Sequence, residues 1–168
     1  LDGHLGLFTP LQRRLHRKAV RITGKAIHVY VNDLFSNRLE RHAVVVACTE
    51  SFMVATVECY PSTIYPVFIN LVDNAIHWLK TISGPRKIVF DAEEGAFIVA
   101  NNGPKIPDRD VAGLFQRGFT RKPGGRGLGL FIAKKALKKE EMDIVLDTPP
   151  PGFNVAFRIT ASTLRLVP

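Results

Sequence analysis

Two stretches of this chain carry residue types suited to work on a phosphate chain. The first is Lys122-Pro123-Gly124-Gly125-Arg126-Gly127-Leu128-Gly129-Leu130, where four glycines fall within six positions. Glycine lacks a Cβ, so its backbone reaches φ > 0 and approaches a ligand closely. The run feeds an apolar, lysine-rich segment, 128–140, that reads as a helix. A glycine-rich loop opening into a helix N-terminus presents backbone N–H groups and the positive end of the helix dipole, which suits phosphate. Arg121, Lys122 and Arg126 add cations at the same place. By itself the loop reads equally as a lid with no ligand, so the context upstream has to decide.

That context is Phe68-Ile69-Asn70-Leu71-Val72-Asp73-Asn74-Ala75-Ile76-His77-Trp78. Tyr65, Phe68, Val72, Ile76 and Leu79 recur as an apolar stripe, while Asn70, Asn74 and His77 at i, i+4 and i+7 share another face. An amide oxygen is a hard, neutral ligand that can complete an octahedral Mg²⁺ shell whose other sites are phosphate oxygens and water. Two amides and an imidazole in line therefore suit the wall of a Mg-nucleotide pocket. A plain solvated helix fits less well, because 64–79 is too apolar to stand free.

Composition sets wide bounds. A chain of 168 residues fits one domain, alone or extended by a short appendage, and 46% hydrophobic residues can form a core. No apolar run approaches the roughly 18 residues of a membrane span. The start, Leu1-Asp2-Gly3-His4, lacks a secretory pattern and an initiator Met, so a piece of a longer protein is expected, one whose parent could be membrane-anchored. Cys48 and Cys59 lack metal-site spacing and read as buried thiols on neighbouring strands in a reducing cytoplasm. The net charge of +8 permits nucleic acid, a polyanionic small ligand or an acidic partner. Its basic residues cluster at Arg13 to Lys25, Arg117 to Arg126 and Lys134 to Lys139. The second cluster flanks the glycine loop, and nucleotide phosphates explain it without DNA. The third, Lys134, Lys135, Lys138 and Lys139, reads as a solvated helix face. Without aromatic interleaving for base stacking, nucleic acid is not the expected partner.

The elements that must position these residues follow from periodicity. Residues 11 to about 40 read as helical, from Leu11, Leu15, Ala19 and Ile22 and then Ile27, Val31, Leu34 and Leu39. Residues 43–49 and 53–59 are short and β-branched and predict a hairpin around Glu50-Ser51-Phe52. Pro61-Ser62-Thr63 predicts a helix start with Ser62 as N-cap, the helix running to about Lys80. A strand pair follows at 87–91 and 96–100, then a loop to Pro107, a short helix over 108–115, the glycine loop and its helix. Strands near 143–147 and 153–160 finish the chain.

Four segments, in order and spacing, resemble the GHKL (Bergerat-fold) ATPases, the superfamily of gyrase-type topoisomerase, heat-shock chaperone, sensor histidine kinase and mismatch-repair ATP sites. Asn70-Leu71-Val72-Asp73-Asn74-Ala75 resembles the N box, and Asn101-Asn102-Gly103-Pro104-Lys105-Ile106-Pro107 the G1 box. Leu114-Phe115-Gln116-Arg117-Gly118-Phe119-Thr120-Arg121-Lys122 is similar to the F box, and Gly125-Arg126-Gly127-Leu128-Gly129-Leu130 to the G2 box. The likeness covers about 40 to 160. It implies an α/β (α+β) sandwich, one mixed β-sheet covered by a layer of α-helices. Residues 41–168 would be the ATP-binding catalytic domain. Residues 1–40 would be a helical segment, the end of a dimerisation or linker region.

The sensor histidine kinases are the most similar subfamily. Hydrolysing branches carry a water-activating Glu where Asn70 stands, and an amide cannot act as a general base. The resemblance implies that Asn74 holds Mg²⁺ with Asn70 assisting. Gly125, Gly127 and Gly129 would let the lid backbone wrap the phosphates, Lys122 or Arg126 would neutralise them, and Phe115 and Phe119 would pack the lid. It places His77, Trp78, Asn101, Gly103, Lys105, Ile106, Thr120, Arg121, Leu128 and Leu130 around ATP as well. The expected activity is transfer of the ATP γ-phosphoryl group to a protein histidine. The expected partners are a response regulator or other phosphoacceptor protein, with a homodimeric parent.

Three departures stand out. Asn101 replaces the adenine-reading Asp of the G1 box, Lys105 replaces its second glycine, and His77 and Trp78 stand where kinases often carry Lys and Tyr. They motivate an alternative, a degenerate module acting as a nucleotide sensor or partner-binding platform. A weaker alternative is an ATPase conformational switch, for which Asp73 would have to activate water. His4-Leu5-Gly6-Leu7-Phe8-Thr9-Pro10-Leu11 contains Thr-Pro-Leu of a phosphoacceptor motif, but His4 is one residue too far away and no acid follows it. It reads as coincidence or a remnant, with the acceptor upstream or on another protein. His16, His28 and His42 read as solvated or packing histidines.

Overall fold

The computed structural model describes residues 18–121, 125 and 127–166. The elements are β1 (Val20–Thr23), α1 (Gly24–Arg41), β2 (Val44–Cys48), α2 (Glu50–Val54), β3 (Ala55–Cys59), α3 (Pro61–Leu79), β4 (Arg86–Glu93), β5 (Ala96–Asn101), α4 (Asp108–Val111), α5 (Gly129–Lys139), β6 (Asp143–Asp147), β7 (Val155–Thr160) and β8 (Arg165–Leu166). The mixed sheet has the order β2-β4-β5-β7-β6, with β2 parallel to β4 and the other pairs antiparallel. Helices α1, α3 and α5 cover one face, as expected. A second, smaller sheet of order β1-β3-β8 adjoins them.

Alternation on β5 explains the layering. Phe97, Val99 and Asn101 turn to the helices, whereas Ala96, Ile98 and Ala100 turn away. Phe97 and Phe90 from the sheet meet Phe52 of α2 and Phe68 of α3, with ring centroids 5.2–5.5 Å apart across the layers. All four rings are fully buried. On the outer face, Arg158 of β7 pairs with Glu93 and, at 3.7 Å, with Asp147.

Several local expectations are corrected. The continuous helix over 11–40 is broken by β1, which pairs antiparallel with β3 from Val20↔Cys59 to Thr23↔Thr56; residues 11–17 lie outside the described residues. Thr23 ends the strand and caps α1, its Oγ1 accepting from Ala26 N at 3.0 Å. Gly24 starts the helix because any Cβ there would sit 1.8 Å from the Phe52 carbonyl oxygen. From there Ile27, Val31, Phe35 and Leu39 of α1 join the same buried cluster as the sheet, across the division expected at 40/41.

The hairpin over 43–59 does not form. Thr49 Oγ1 accepts from Phe52 N at 3.1 Å and caps the single turn α2, which buries Phe52. That turn sends β2 to the large sheet and β3 to the small one. Cys48 and Cys59 therefore stand on strands of different sheets, Cys59 buried and Cys48 half-buried. Burial pushes both thiols up to about 12, with the Glu140 charge adding at Cys59.

Ser62 is not the cap of α3. Pro61 occupies the first turn, the cap residue is Tyr60 with no side-chain cap bond, and the Tyr60 N–H is held by Glu140 Oε1 at 2.8 Å. The short helix expected over 108–115 ends at Val111 and continues as turns. Lys134 and Lys138 are not merely solvated: both reach Asp143, at 3.1 and 3.2 Å, and Lys134 also donates to the Ile144 carbonyl at 2.9 Å. These contacts tie α5 to β6. His28 contacts Asn32 at 2.7 Å and the Phe90 ring edge, and His42 is half-buried beside Lys80 and Arg86. Among the described residues no helix is long and apolar enough to cross a membrane.

Candidate nucleotide site

Helix α3 supplies the long wall of the site. Its buried stripe, Ile64, Val67, Phe68, Leu71, Val72, Ala75, Ile76 and Leu79, fixes its rotation against the sheet. That rotation leaves Asn70, Asn74, His77 and Trp78 half-buried on the flank. Asn70 Nδ2 donates to the Gly129 carbonyl at 3.3 Å, joining α3 to the first residue of α5. The N box and the G2 box, far apart in sequence, therefore meet. A Cβ at Gly129 would lie 3.2 Å from Asn70 Oδ1, tighter than ordinary contact, so glycine permits the approach. His77 and Trp78 pack edge to face, centroids 4.8 Å apart. Asp73, one turn from Asn70, is ion-paired to Arg38 of α1 at 2.8 Å.

The loop after β5 closes the far end. Asn101 Oδ1 accepts from Gly103 N at 2.9 Å, and a Cβ at Gly103 would meet that oxygen at 2.9 Å, with Leu79 Cδ2 and Trp78 Cβ each 3.7 Å away. Asn102 clamps the loop to β4, accepting from Lys87 N at 2.7 Å and donating to the Pro85 carbonyl at 2.8 Å. Asn154 clamps it to β7, its N–H on the Asn101 carbonyl at 3.0 Å and its Nδ2 on the Gly103 carbonyl at 3.0 Å. Lys105 follows Gly103 by two residues. It is exposed, pairs with Asp108 at 3.7 Å, and with Ile106 lines a cavity of about 340 Å³ together with Phe153, Asn154 and Val155. Neither Asn70 nor Asn101 is among the walls of that cavity.

The segment before the glycine loop is anchored by a pair not anticipated from sequence. Asp110, buried on α4, accepts from Arg121 Nη2 at 2.6 Å. The Arg121 hydrogen bond holds the Asp110 carboxyl below its usual range despite burial, and raises Arg121 in turn. Arg121 also lies over the Phe119 ring at 5.3 Å. Phe115 meets Phe157 edge-on at 6.2 Å and is capped by Lys134 at 4.7 Å. Phe115, Phe119 and Leu130 all pack on the core, as a packed lid base requires, and Thr120 and Leu128 are half-buried.

Gly127 lies back against this base. Gly118 N donates to the Gly127 carbonyl at 2.9 Å. Gly127 has φ +68°, and a Cβ there would lie 2.3 Å from the Gly118 carbonyl carbon. Only glycine fits on both counts. Gly125 is exposed; Lys122 and Arg126 lie outside the described residues.

The residues missed from sequence are Asp110, Asn154 and Arg38. A buried Asp on a four-residue helix has no local signature, and the partners of Asn154 and Arg38 are set by tertiary contact. Asn102 was inside a recognised box, but its clamp on β4 was not foreseen.

Comparison with known proteins agrees with this geometry. The profile of the histidine kinase-, DNA gyrase B- and HSP90-like ATPases matches residues 59–163. The sensor protein GacS of Pseudomonas syringae pv. syringae is 32% identical over 101 residues, covering 54% of this chain and 11% of its own. The nucleotide-free catalytic domain of histidine kinase ThkA superposes with a TM-score of 0.71 at 26% identity, covering 87% of this chain and 96% of that one. ThkA in complex with the response regulator protein TrrA superposes at 0.63 and 25% identity, covering 84% of this chain and 41% of that chain. The chain thus spans about a tenth of the curated relative's length and nearly all of an isolated catalytic domain. It is homologous to the ATP-binding catalytic domains of sensor histidine kinases.

Proposed function

The chain belongs to the histidine kinase-, DNA gyrase B- and HSP90-like ATPase family, and from that premise we propose that it positions Mg-ATP for transfer of the γ-phosphoryl group to a histidine on another segment or protein. One observation carries the reading. The residue of α3 that touches the start of α5 is an amide, Asn70, and the neighbouring carboxylate of Asp73 is engaged with Arg38. An amide orients and coordinates but does not take a proton from water. Phosphoryl transfer by positioning and charge neutralisation asks for nothing more.

The residues present fit a magnesium ion that arrives with the phosphates. Asn70 commits its Nδ2 to Gly129, leaving its oxygen as the available donor, and Asn74 lies one turn further on the same face. Among the described residues no group of three or more His, Cys, Asp or Glu could hold an ion without phosphate oxygens. Asn74 would hold the ion and Asn70 assist; the ion would supply charge neutralisation across the phosphates. Gly125, Gly127 and Gly129 would let the backbone wrap the phosphates, and Lys122 or Arg126 would add positive charge. Trp78 and Asn101 border the end that receives the base.

The whole parent's partners follow from its relatives rather than from this chain. We read a response regulator or other phosphoacceptor protein as the partner, a homodimer as the parent's state and the cytoplasm as the place of action. Residues ahead of β1 would link the domain to the phosphoacceptor region. The experiment is incubation of the folded chain with Mg²⁺ and γ-labelled ATP, with and without a separately supplied phosphoacceptor domain. Label should move only to the acceptor. Steady release of inorganic phosphate by the chain alone would replace this reading with that of an ATPase switch.

A further inference from the structure

Asn101 is 8% exposed, so more than nine-tenths of it is buried at the end of β5. An amide offers one oxygen acceptor and one two-hydrogen donor. The oxygen is already engaged by Gly103 N at 2.9 Å, and turning the amide over would set a donor against that N–H. The orientation is therefore fixed by the backbone. Among the described residues Nδ2 has no hydrogen-bond partner, and it is not a sealed, unsatisfied atom either, so it keeps access to solvent. A buried donor held in one direction and left open asks its ligand for an acceptor.

The place of this donor along the site can be read from α3. Asn70 meets Gly129 at the end where the glycine loop enters. Asn101 sits by Gly103, whose neighbours are Trp78 and Leu79. From Asn70 to Trp78 the helix rises about 12 Å. That separation puts Asn101 at the base end of a nucleoside triphosphate whose phosphates lie at the glycine loop.

We propose that Asn101 shifts base selection in this site toward 6-keto purine nucleotides, hypoxanthine or guanine in type, and away from adenine. The inference rests on the nucleotide-site reading above. Adenine carries an exocyclic amino donor at carbon 6, which would face Nδ2–H donor to donor. Hypoxanthine and guanine carry a carbonyl oxygen at that carbon, which accepts from Nδ2. The site keeps ATP as a ligand, but a weaker one than its 6-keto counterpart. Asp in place of Asn101 would still accept from Gly103 N with one oxygen, and its second oxygen would accept from the adenine amino group.

The test is titration of the chain with ATP, ITP and GTP in excess Mg²⁺, read by calorimetry and by fluorescence of Trp78, the single tryptophan. ITP differs from ATP only around carbon 6 of the base. ITP should bind tighter than ATP, by about tenfold, and Asn101→Asp should reverse the order while leaving the melting temperature in place. Tighter binding of ATP than of ITP by the native chain overturns the inference and leaves the nucleotide site standing. An unchanged ratio in folded Asn101→Asp also overturns it. No binding of any of the three overturns the nucleotide-site reading itself, and this inference with it.

Discussion

Asn70 and Gly129 lie 59 positions apart, yet the Asn70 amide donates to the Gly129 carbonyl at 3.3 Å. This contact joins the helix that carries the candidate metal ligands to the end of the loop that would enclose the phosphates. Two residues earlier, the Gly127 carbonyl accepts from Gly118 N. A methyl at Gly127 is excluded twice, by φ +68° and by the 2.3 Å approach to the Gly118 carbonyl carbon. Gly127→Ala should cost about 1–3 kcal/mol in the closed loop. It should weaken Mg-ATP binding about tenfold or more and leave the melting temperature within a few degrees, since the loop holds little of the core. Calorimetry beside a thermal melt checks this; unchanged affinity in the variant would show that the loop does not close over the ligand in this form.

Asn74→Ala removes an oxygen donor from the half-buried flank of α3 and adds a residue of higher helix propensity. The variant should remain folded, which a thermal melt verifies. Nucleotide affinity in Mg²⁺ should drop at least about tenfold, with the loss much smaller in EDTA. Equal losses with and without Mg²⁺ would assign Asn74 to the nucleotide rather than the ion.

Much of the site was readable because its elements announce themselves. The amphipathic stripe of α3 and the short apolar runs of β4 and β5 on either side of the Glu93-Glu94-Gly95 turn are local signals, and they place Asn70, Asn74 and Asn101 without any tertiary knowledge. The errors fall where local and long-range demands conflict. Val20–Thr23 sits within a stretch of helical spacing and becomes a strand only because Cys59 to Thr56 offer it an edge. Glu50–Val54 is too short for a period, and its Thr49 cap resembles a turn. β8 has two residues and gains its order from Ala55 and Thr56. Lys105 stood inside a recognised box, but its pairing with Asp108 and its place in the cavity wall beside Phe153 come only with the folded loop.

The aromatic cluster makes a direct stability prediction. Phe52 is fully buried and touches Phe68, Phe90 and Phe97. Phe52→Ala removes the ring that joins the α2 turn to both layers, at about 3–5 kcal/mol. The urea midpoint should fall by most of the native range. A loss below about 1 kcal/mol would mean the four rings repack without it.

The thiols supply an alkaline prediction. Both are pushed up to about 12 from an ordinary value of 9.0, so the folded chain keeps protons that the unfolded chain releases. Their contribution to stability is complete below pH 9 and declines as pH rises toward 12. At pH 8 the folded chain should resist iodoacetamide at both positions, Cys59 more than Cys48 because it is the more buried. Modification should accelerate sharply in denaturant, with mass spectrometry locating the label. Rapid labelling of Cys59 in native buffer would show that the α3 end of the small sheet opens frequently.

Asp110 and Arg121 supply the acid counterpart. The Arg121 hydrogen bond is the largest influence on Asp110 and holds its carboxyl below the ordinary value of 3.8, outweighing burial. A group with a depressed folded value stabilises above its unfolded value and loses that contribution as pH falls through the folded one. The anchor ahead of the glycine loop is thus intact from neutral pH down to about pH 4 and releases below it. Asp110→Asn removes the charge but keeps the shape. It should loosen the 112–121 segment at neutral pH, raising amide exchange there and reducing nucleotide affinity several-fold, while α3 and the sheet exchange as before. Acid treatment of the native chain should reproduce that exchange pattern only below pH 4. If Asp110→Asn leaves exchange at 112–121 unchanged, the Phe115 and Phe119 contacts hold the lid base without the ion pair.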